Sequence, residues 1–243
     1  MKAFEVDLHI HTCLSPCADL DMSPKRIIQR AVETGLDIIA VTDHNSAENA
    51  EAAVEVGNAY GVMVLPGMEI NTREEVHVLA IFENMSQALA MQDEVYQRLE
   101  GENDPSVFGD QVVANASDEV EGFNRRLLIG AVDMGVEEVV ERIHGLKGLC
   151  IASHVDRPSF SIISQLGFVP RHLGLDALEI SRRDRAKFIE PYVDKGRYQV
   201  VCFSDSHNLS DIGTRSSTFF LEQCDFTEVL KAFRNEGGRR IEL

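Results

Sequence analysis

Acidic and histidine side chains alternate near the amino terminus, in the segment Asp7-Leu8-His9-Ile10-His11-Thr12. In an extended strand His9 and His11 project from the same face, so both imidazoles can bind one metal ion. A lone histidine on a strand is usually a hydrogen-bonded polar residue, but two at strand spacing favour a metal site. Strand alternation predicts Asp7 on that face too, either hydrogen-bonded to a ligand histidine or exposed at the strand start.

Potential metal ligands recur at the ends of later predicted strands: Asp43, His44, Glu69, His77, His154, Asp205 and His207. Six of the eight histidines therefore lie at strand ends, where barrel enzymes build their active sites. His144 and His172 fall on helical or loop segments, and we interpret both as structural. A mixture of imidazoles and carboxylates suits Zn, Mn or Fe. Such ions lower the pKa of bound water and neutralise phosphate oxygens, which indicates phosphoester hydrolysis.

The elements that must position these residues alternate between short strands and amphipathic helices, the pattern of an α/β fold built from βα units. The predicted strands cover residues 4–9, 37–42, 62–70, 76–82, 149–154, 177–181, 199–204 and 217–221. Ser23-Pro24 predicts a helix start, and Asp225 with Glu228 predicts another. Residues 86–135 depart from the alternation, because two helix-like segments flank a polar piece at 101–106. We predict an insertion there, either a lid or ordinary surface helices.

With these motifs in this order, the chain resembles the PHP (polymerase and histidinol phosphatase) superfamily from Asp7 to about His207. The resemblance implies a distorted (β/α)7 TIM-like barrel, here one domain over residues 1–243 with a helical insertion at 86–135. It implies two or three divalent metal ions. The implied metal ligands are His9, His11, Asp19, His44, Glu69, His77, His154, Asp205 and His207, and the catalytic residues are Asp205, His207, Glu69 and Asp43.

The resemblance also divides these ligands among the ions. His9 and His11 share one ion with Glu69 and Asp205; Glu69 bridges to a second ion held by His77 and His154; Asp19, His44 and His207 hold a third. The family usually places the acid of the third site sooner after the histidine pair. Asp19 precedes Ser23 by four residues, as that acid typically does, while Asp21 or Cys17 could replace it. Cys13 and Cys17 are also candidate soft ligands for zinc.

Residues around the ligands have open interpretations. Asp43, beside His44, is predicted to orient a ligand histidine or take a proton, or else to cap a helix or loop. Arg157, Arg182 and Arg183 are candidates for binding substrate, because a guanidinium can bind phosphate oxygens bidentately. With 40 acidic residues in the chain, surface salt bridges are the alternative for each arginine.

The composition narrows the range of expected substrates. A formal net charge of −17 argues against binding long nucleic acid. We therefore predict a small phosphorylated substrate, a phosphomonoester such as a nucleotide, sugar phosphate or histidinol phosphate. The alternatives are a phosphodiesterase or 3'-5' exonuclease on short oligonucleotides, a barrel amidohydrolase, and a non-catalytic metal-binding scaffold. Five scattered cysteines and the lack of a long apolar stretch predict a reduced, cytoplasmic protein with no membrane span. The oligomeric state is left open.

Overall fold

The computed structural model describes residues 1–192 and 197–243. Within them the strands are β1 (Lys2–Ile10), β2 (Ile38–Val41), β3 (Met63–Asn71), β4 (His77–Ile81), β5 (Val112–Ala114), β6 (Val120–Phe123), β7 (Leu149–Ala152), β8 (Ala177–Glu179), β9 (Gln199–Val201), β10 (Ser217–Leu221) and β11 (Arg240–Glu242). The α-helices are α1 (Pro24–Thr34), α2 (Ala50–Tyr60), α3 (Met85–Tyr96), α4 (Pro105–Phe108), α5 (Val136–Gly145), α6 (Ile162–Leu166) and α7 (Phe226–Phe233). Two 3-10 helices cover Arg183–Ile189 and Glu236–Gly238.

Nine of the described strands form one sheet in the order β11-β10-β1-β2-β3-β4-β7-β8-β9. After β9 the chain returns beside β1, where Ile10 pairs in parallel with Ser206. His11 N–H donates to the Ser206 carbonyl at 3.0 Å, and Ser206 N–H donates to the His9 carbonyl at 3.3 Å. We call this junction of the first and last parallel segments the seam. The seam nearly closes the sheet into a barrel, which confirms the predicted α/β barrel fold.

The direction of β4 decides where its first residue lies. β1, β2 and β3 are parallel, as are β7, β8 and β9, whereas β4 runs antiparallel to both β3 and β7. A tight loop suffices to join antiparallel neighbours, and β4 begins six residues after β3 ends. Asn71, the last residue of β3, pairs with His77, the first residue of β4. His77 therefore lies at the same rim as the carboxyl ends of β1, β2, β3 and β7.

Two apolar clusters hold this sheet. One joins side chains from β1–β4 and β7–β10 with α7, and includes Leu8, Leu65 and Leu79. The other, which includes Ile27 and Ile39, packs the remaining strand faces against the helices. Strands buried on both faces read as continuous apolar runs. The four residues of β2 are all buried, so the backbone that carries the rim residues is held firmly in place.

The insertion is only partly helical. After α3 and the single turn of α4, the second predicted helix-like segment contains the antiparallel hairpin β5–β6. Turn chemistry explains the difference, because the Asn115 side chain accepts hydrogen bonds from the main-chain N–H groups of Ser117 and Glu119 at 2.9 and 3.0 Å. Val112 N–H donates to the Cys13 carbonyl at 2.9 Å, and the Cys13 thiol donates to the Val112 carbonyl at 3.7 Å. Cys13 thus faces the insertion, and its predicted role as a zinc ligand is not supported.

No helix in the described part of the chain is both long and apolar enough to cross a bilayer. The five cysteines are free thiols in the structure.

Candidate metal centre

The predicted metal ligands converge on one carboxylate at the rim of the barrel. Glu69, near the end of β3, is almost fully buried. Its two oxygens lie 3.2 to 3.5 Å from ring nitrogens of His9, His11, His44, His77 and His154. Five imidazoles from β1, β4 and the ends of β2 and β7 therefore surround a single side chain, as strand-end positions predict.

A second carboxylate, Asp205, completes the group from the other side of the seam. Its Oδ1 lies 3.3 Å from His9 Nε2 and 3.4 Å from His11 Nε2. His207 Nδ1 lies 2.9 Å from the main-chain carbonyl of Asp205, and its ring stacks on that of His11 with centroids 4.2 Å apart. Three overlapping sets have ligand atoms within 4.8 Å of one another: His11, His44 and His207; His9, His11 and Asp205; His44, Glu69 and His77.

The spacing and the bonding of these atoms fit divalent cations. Two nitrogens at 2.0–2.1 Å from one tetrahedral ion lie about 3.3 Å apart, and His9 Nε2 and His11 Nε2 are 3.3 Å apart. Within the described residues, Nδ1 of His44 and His77 and one oxygen of Glu69 are buried without a hydrogen-bond partner. Buried polar atoms rarely lack partners. A cation shared by these atoms would satisfy them.

The surroundings of Glu69, His11 and His44 favour the forms of these three side chains that bind metal. Burial raises the pKa of Glu69, but the imidazoles of His77 and His9 outweigh it and leave that pKa well below its usual value. Burial, reinforced by neighbouring imidazoles, lowers the pKa of His11 to about 4 and that of His44 well below its usual value. At neutral pH the carboxylate is ionised and these two rings are neutral, which is the state that ligation requires.

Glu179, the last residue of β8, is the site residue that sequence reasoning missed. It is buried, and both of its carboxylate oxygens lie 3.0 Å from His9 Nδ1. The main-chain N–H of His154 donates to Glu179 Oε2 at 2.8 Å. Because a carboxylate accepts, Nδ1 of His9 is the donor to Glu179, which leaves Nε2 as the atom that would bind an ion. The available signal was an acid inside the apolar run Ala177-Leu178-Glu179-Ile180, since a buried charge needs a partner.

Asp43 lies behind the ligands rather than in the cavity between them. Its carboxylate accepts hydrogen bonds from Thr12 N–H and hydroxyl, both at 2.7 Å, and from the Ser15 hydroxyl at 2.6 Å. The same hydroxyl oxygen is 2.9 Å from His11 Nδ1 and accepts from His44 N–H at 3.1 Å. Asp43 is thus linked to both histidines through Ser15, and its roles in orienting a ligand histidine or taking a proton stay predictions.

Asp7 is buried at the seam. The register between β1 and β2 shifts between Asp7 and Ile10, so strict alternation does not extend from Asp7 to His9. Asp7 Oδ1 accepts from the main-chain N–H groups of His9, at 3.4 Å, and Ser204, at 3.1 Å. Burial is the main cause that raises the Asp7 pKa to about 7. Asp7 thus supports the backbone of a ligand histidine and does not bond its imidazole.

The candidates for the third ion lie in different places. Asp19 is exposed, although its main-chain N–H donates to the His207 carbonyl at 2.8 Å. Asp21 forms an ion pair with Arg26 on the surface, away from the ligands. Cys17 lines the cavity that the ligands enclose. The loop after β1 therefore brings Cys17, and not the carboxylate of Asp21, to the cavity that His44 and His207 also line.

The cavity between the ligands measures about 210 Å³, and its walls include Cys17, Ile129, Arg157 and Phe160. Arg157 Nη1 lies 2.6 Å from Asp205 Oδ2, so this guanidinium is beside the ligands, as predicted.

The other two candidate arginines are engaged elsewhere. Arg182 is paired with Asp184, Nη2 to Oδ2, at 2.8 Å, and Arg183 donates to a main-chain carbonyl at 2.7 Å. Neither is among the described residues that line the cavity. The salt-bridge alternative holds for Arg182, and the structure gives no support to either as a substrate ligand.

Comparison with known proteins identifies the family. Residues 7–158, more than half of the chain, match the sequence model of the PHP domain. The chain belongs to the PHP domain family. The match confirms the predicted resemblance, and a PHP-family metal-dependent phosphoesterase is the enzyme class it supports.

Three relatives show the range of this PHP family. The 5'-3' exoribonuclease Rnm of Salmonella typhimurium is 32% identical over 99 residues, 39% of this chain and 32% of that protein. The phosphoribosyl 1,2-cyclic phosphate 1,2-diphosphodiesterase of Eggerthella lenta is 30% identical over 80 residues, 31% of this chain and 29% of that protein. A lesion-specific endonuclease of Pyrococcus furiosus has a TM-score of 0.73 at 21% identity, over 99% of this chain and 58% of that one. The PHP chain thus spans about a third of these two curated relatives, and the structural likeness shows the fold.

These relatives overturn the prediction of a small phosphorylated substrate without long nucleic acid. A structure of endonuclease Q, with a TM-score of 0.73 at 20% identity over 98% of this chain and 58% of that one, holds a 27-mer duplex with an abasic lesion at its active site. The prediction rested on the net charge of −17. Total charge is a poor guide to such a site, because bound divalent ions are often its largest local charges.

Proposed function

We propose that this PHP domain hydrolyses phosphodiester bonds of nucleic acid. The observation that carries the proposal is a ring of metal ligands around a cavity of only about 210 Å³. Pockets that enclose a whole small ligand usually measure about 300–1,000 Å³. A cavity of this size accepts a phosphate group and part of the nucleotide attached to it, while the rest of the substrate lies outside the rim. That is the arrangement a polymer needs, and the relatives that act on nucleic acid support it.

The ligand positions divide among two or three ions, of Zn, Mn or Fe. His9, His11, Glu69 and Asp205 would hold the first, and Glu69 with His77 and His154 the second. Bound divalent ions would supply a water of lowered pKa and neutralise the phosphate oxygens. The protein's part is to keep the ligand atoms in place through Glu179 and Asp43 before substrate arrives.

For the third ion we propose His44 and His207 as ligands, with Cys17 as an additional donor. Cys17, although exposed, lines the same cavity as both histidines, and Asp19 is not among its lining residues. A thiolate is a softer ligand than a carboxylate and selects zinc over manganese. This set therefore makes the third site the most zinc-selective of the three.

Arg157 and His207 are the groups we propose to act directly on substrate. The Arg157 guanidinium has five N–H donors, and one nitrogen is engaged by Asp205 at 2.6 Å. The remaining donors can bind a non-bridging phosphate oxygen beside the ions. With Nδ1 of His207 at 2.9 Å from a carbonyl, its Nε2 would hold the third ion or, where no third ion is bound, give a proton to the leaving oxygen. The overall negative charge then discourages binding away from the site.

The test is cleavage of end-labelled oligonucleotides by metal-depleted protein reloaded with Zn, Mn or Fe. Single strands, duplexes and RNA, labelled at either end, report whether cuts are internal or begin at a terminus. We expect metal-dependent cleavage that chelator and His9→Ala abolish. The matched control is His172→Ala, because His172 is an exposed histidine outside the cavity and its loss leaves cleavage intact. A folded, metal-loaded protein that releases phosphate from monoesters but leaves every polynucleotide intact would contradict the proposal, as would one that is inert.

A further inference from the structure

Phe160 lies at the mouth of the metal-site cavity. It follows β7 on the loop that also carries His154 and Arg157, and it lines the cavity with them. One face of its ring stacks on the imidazole of His77, with centroids 4.8 Å apart and an interplanar angle of 25°. The side chain is nevertheless 40% exposed. An aromatic ring therefore has one face on a metal ligand and the rest of its surface open to the cavity and solvent.

The loop that carries Phe160 is fixed at several points. The Phe160 carbonyl accepts a hydrogen bond from His77 N–H at 2.9 Å. The next residue, Ser161, is the N-cap of α6, and its hydroxyl donates to the Arg157 carbonyl at 2.9 Å. Arg157 N–H in turn donates to the His154 carbonyl at 2.9 Å. The phosphate-facing guanidinium and the aromatic ring are thus held in one rigid turn, at fixed positions relative to the ligands.

The backbone of Phe160 is strained. Its φ angle is +55°, a conformation that residues other than glycine and asparagine rarely adopt. An asparagine or glycine would fit this turn with less strain, and neither would expose an apolar ring. Strain of this kind persists chiefly at functional sites, where the side chain has a role that offsets it. The ring's exposure and its backbone both indicate a role beyond packing.

We propose that Phe160 is a stacking platform for the nucleobase next to the scissile phosphate, an inference that rests on the proposed action on nucleic acid. Aromatic rings bind successive bases by stacking without reading their sequence, because every base has a flat π face. Arg157 and the ions hold the phosphate, while Phe160 and Ile129, which also lines the cavity, supply apolar surface beside it. The cavity thereby distinguishes a nucleotide from a sugar phosphate that lacks a base.

Binding can be measured without catalysis by the fluorescence of an introduced tryptophan. The chain itself contains no tryptophan. Phe160→Trp places a single tryptophan at the proposed platform, and excitation at the red edge of its absorption avoids the four tyrosines. A stacked base quenches tryptophan, whereas a sugar phosphate alone has no π face. In the metal-loaded variant we expect deoxyadenosine monophosphate to quench the fluorescence and to bind roughly 5- to 150-fold more tightly than deoxyribose 5-phosphate, the range that stacking of one base gives. Equal affinities, or no quenching by the nucleotide, would refute the platform.

Cleavage supplies the second measurement. We compare kcat/KM for an oligonucleotide that has a base beside the scissile phosphate with kcat/KM for the same strand with an abasic residue there. The ratio of the first value to the second should fall towards one in Phe160→Leu. Leucine keeps apolar cover over His77 but has no π face. The matched control, Phe168→Leu, changes another exposed phenylalanine outside the cavity and should leave the ratio unaltered. If both rates fall equally in Phe160→Leu, the ring only supports His77 and the platform is refuted.

The two measurements separate this inference from the proposed function. Selective quenching by the nucleotide without any cleavage of nucleic acid upholds base stacking and contradicts the nuclease. Cleavage by a protein that binds bases and abasic sugars alike upholds the nuclease and contradicts the platform.

Discussion

Replacing Glu179 by glutamine tests how the protein prepares His9 for an ion. Both Glu179 oxygens are 3.0 Å from His9 Nδ1, so in the glutamine variant a donor N–H group and an acceptor oxygen would both face Nδ1. The amide therefore no longer selects the tautomer that leaves Nε2, the atom 3.3 Å from both Glu69 and Asp205, without a proton. An ion must displace the Nε2 proton of the other tautomer. Loss of such a partner behind a ligand costs about 10- to 100-fold in metal affinity, or about 1.4–2.8 kcal/mol.

The assay is competition between the protein and a chelator of known affinity, with metal content followed by elemental analysis. The matched control is Glu137→Gln, because Glu137 and His172 form a carboxylate-imidazole pair at 3.5 Å on the surface, both about two thirds exposed. We expect Glu179→Gln to lose one ion at a chelator concentration 10 to 100 times lower than the control. If the two variants hold metal equally well and thermal unfolding shows both folded, the tautomer argument is wrong.

Three further predictions concern other contacts. Arg157→Gln removes a phosphate donor and the partner of Asp205, and kcat/KM for oligonucleotides should fall roughly 10- to 100-fold, the effect of losing a hydrogen bond to a charged group; an unchanged KM and kcat would place Arg157 outside the site. Cobalt-loaded protein should show a thiolate-to-cobalt absorption band that Cys17→Ser removes and Asp19→Asn keeps, and the reverse pattern, or no band, would exclude the thiol as a ligand. Glu228→Gln should lower Tm at pH 7 but not near pH 2. Hydrogen bonds from arginine and lysine lower the Glu228 pKa from 4.5 to about 2. The stabilisation that the carboxylate gives is therefore present above pH 4.5 and is lost as the pH falls through 2. Equal Tm losses at both pH values would show that the carboxylate's charge is not the cause.

The rim residues were predictable because of a simple property of parallel strands. Carboxyl ends of neighbouring strands meet at one edge, so histidines and acids at those ends must converge. His9, His11, Glu69, His154 and Asp205 follow this rule, and the structure brings them together. His77 does not end its strand, yet the family resemblance identified it. That residues 1–243 form one domain stays a prediction.

The features that were missed depend on interactions between distant residues. Nothing local marks β4 as antiparallel, because its apolar run resembles that of a parallel strand. The shift in register within β1, which separates Asp7 from His9, depends on pairing with β2. The same is true of Glu179, whose partner lies 170 residues away. The β5–β6 hairpin is the exception, since Asn115 and the turn after it were readable signals.

The seam determines when two predicted metal ligands come together during folding. His9 and Asp205 are far apart in sequence, and main-chain hydrogen bonds around Ile10 and Ser206 join β1 to the segment that follows β9. Contacts so far apart in sequence form late in folding, after loop closure has been achieved. His9 and Asp205 therefore meet only when the segment after β9 reaches β1, and we expect a nascent chain that still lacks residues beyond 200 to bind metal incompletely. An ion held by both His9 and Asp205 would then stabilise the closed barrel.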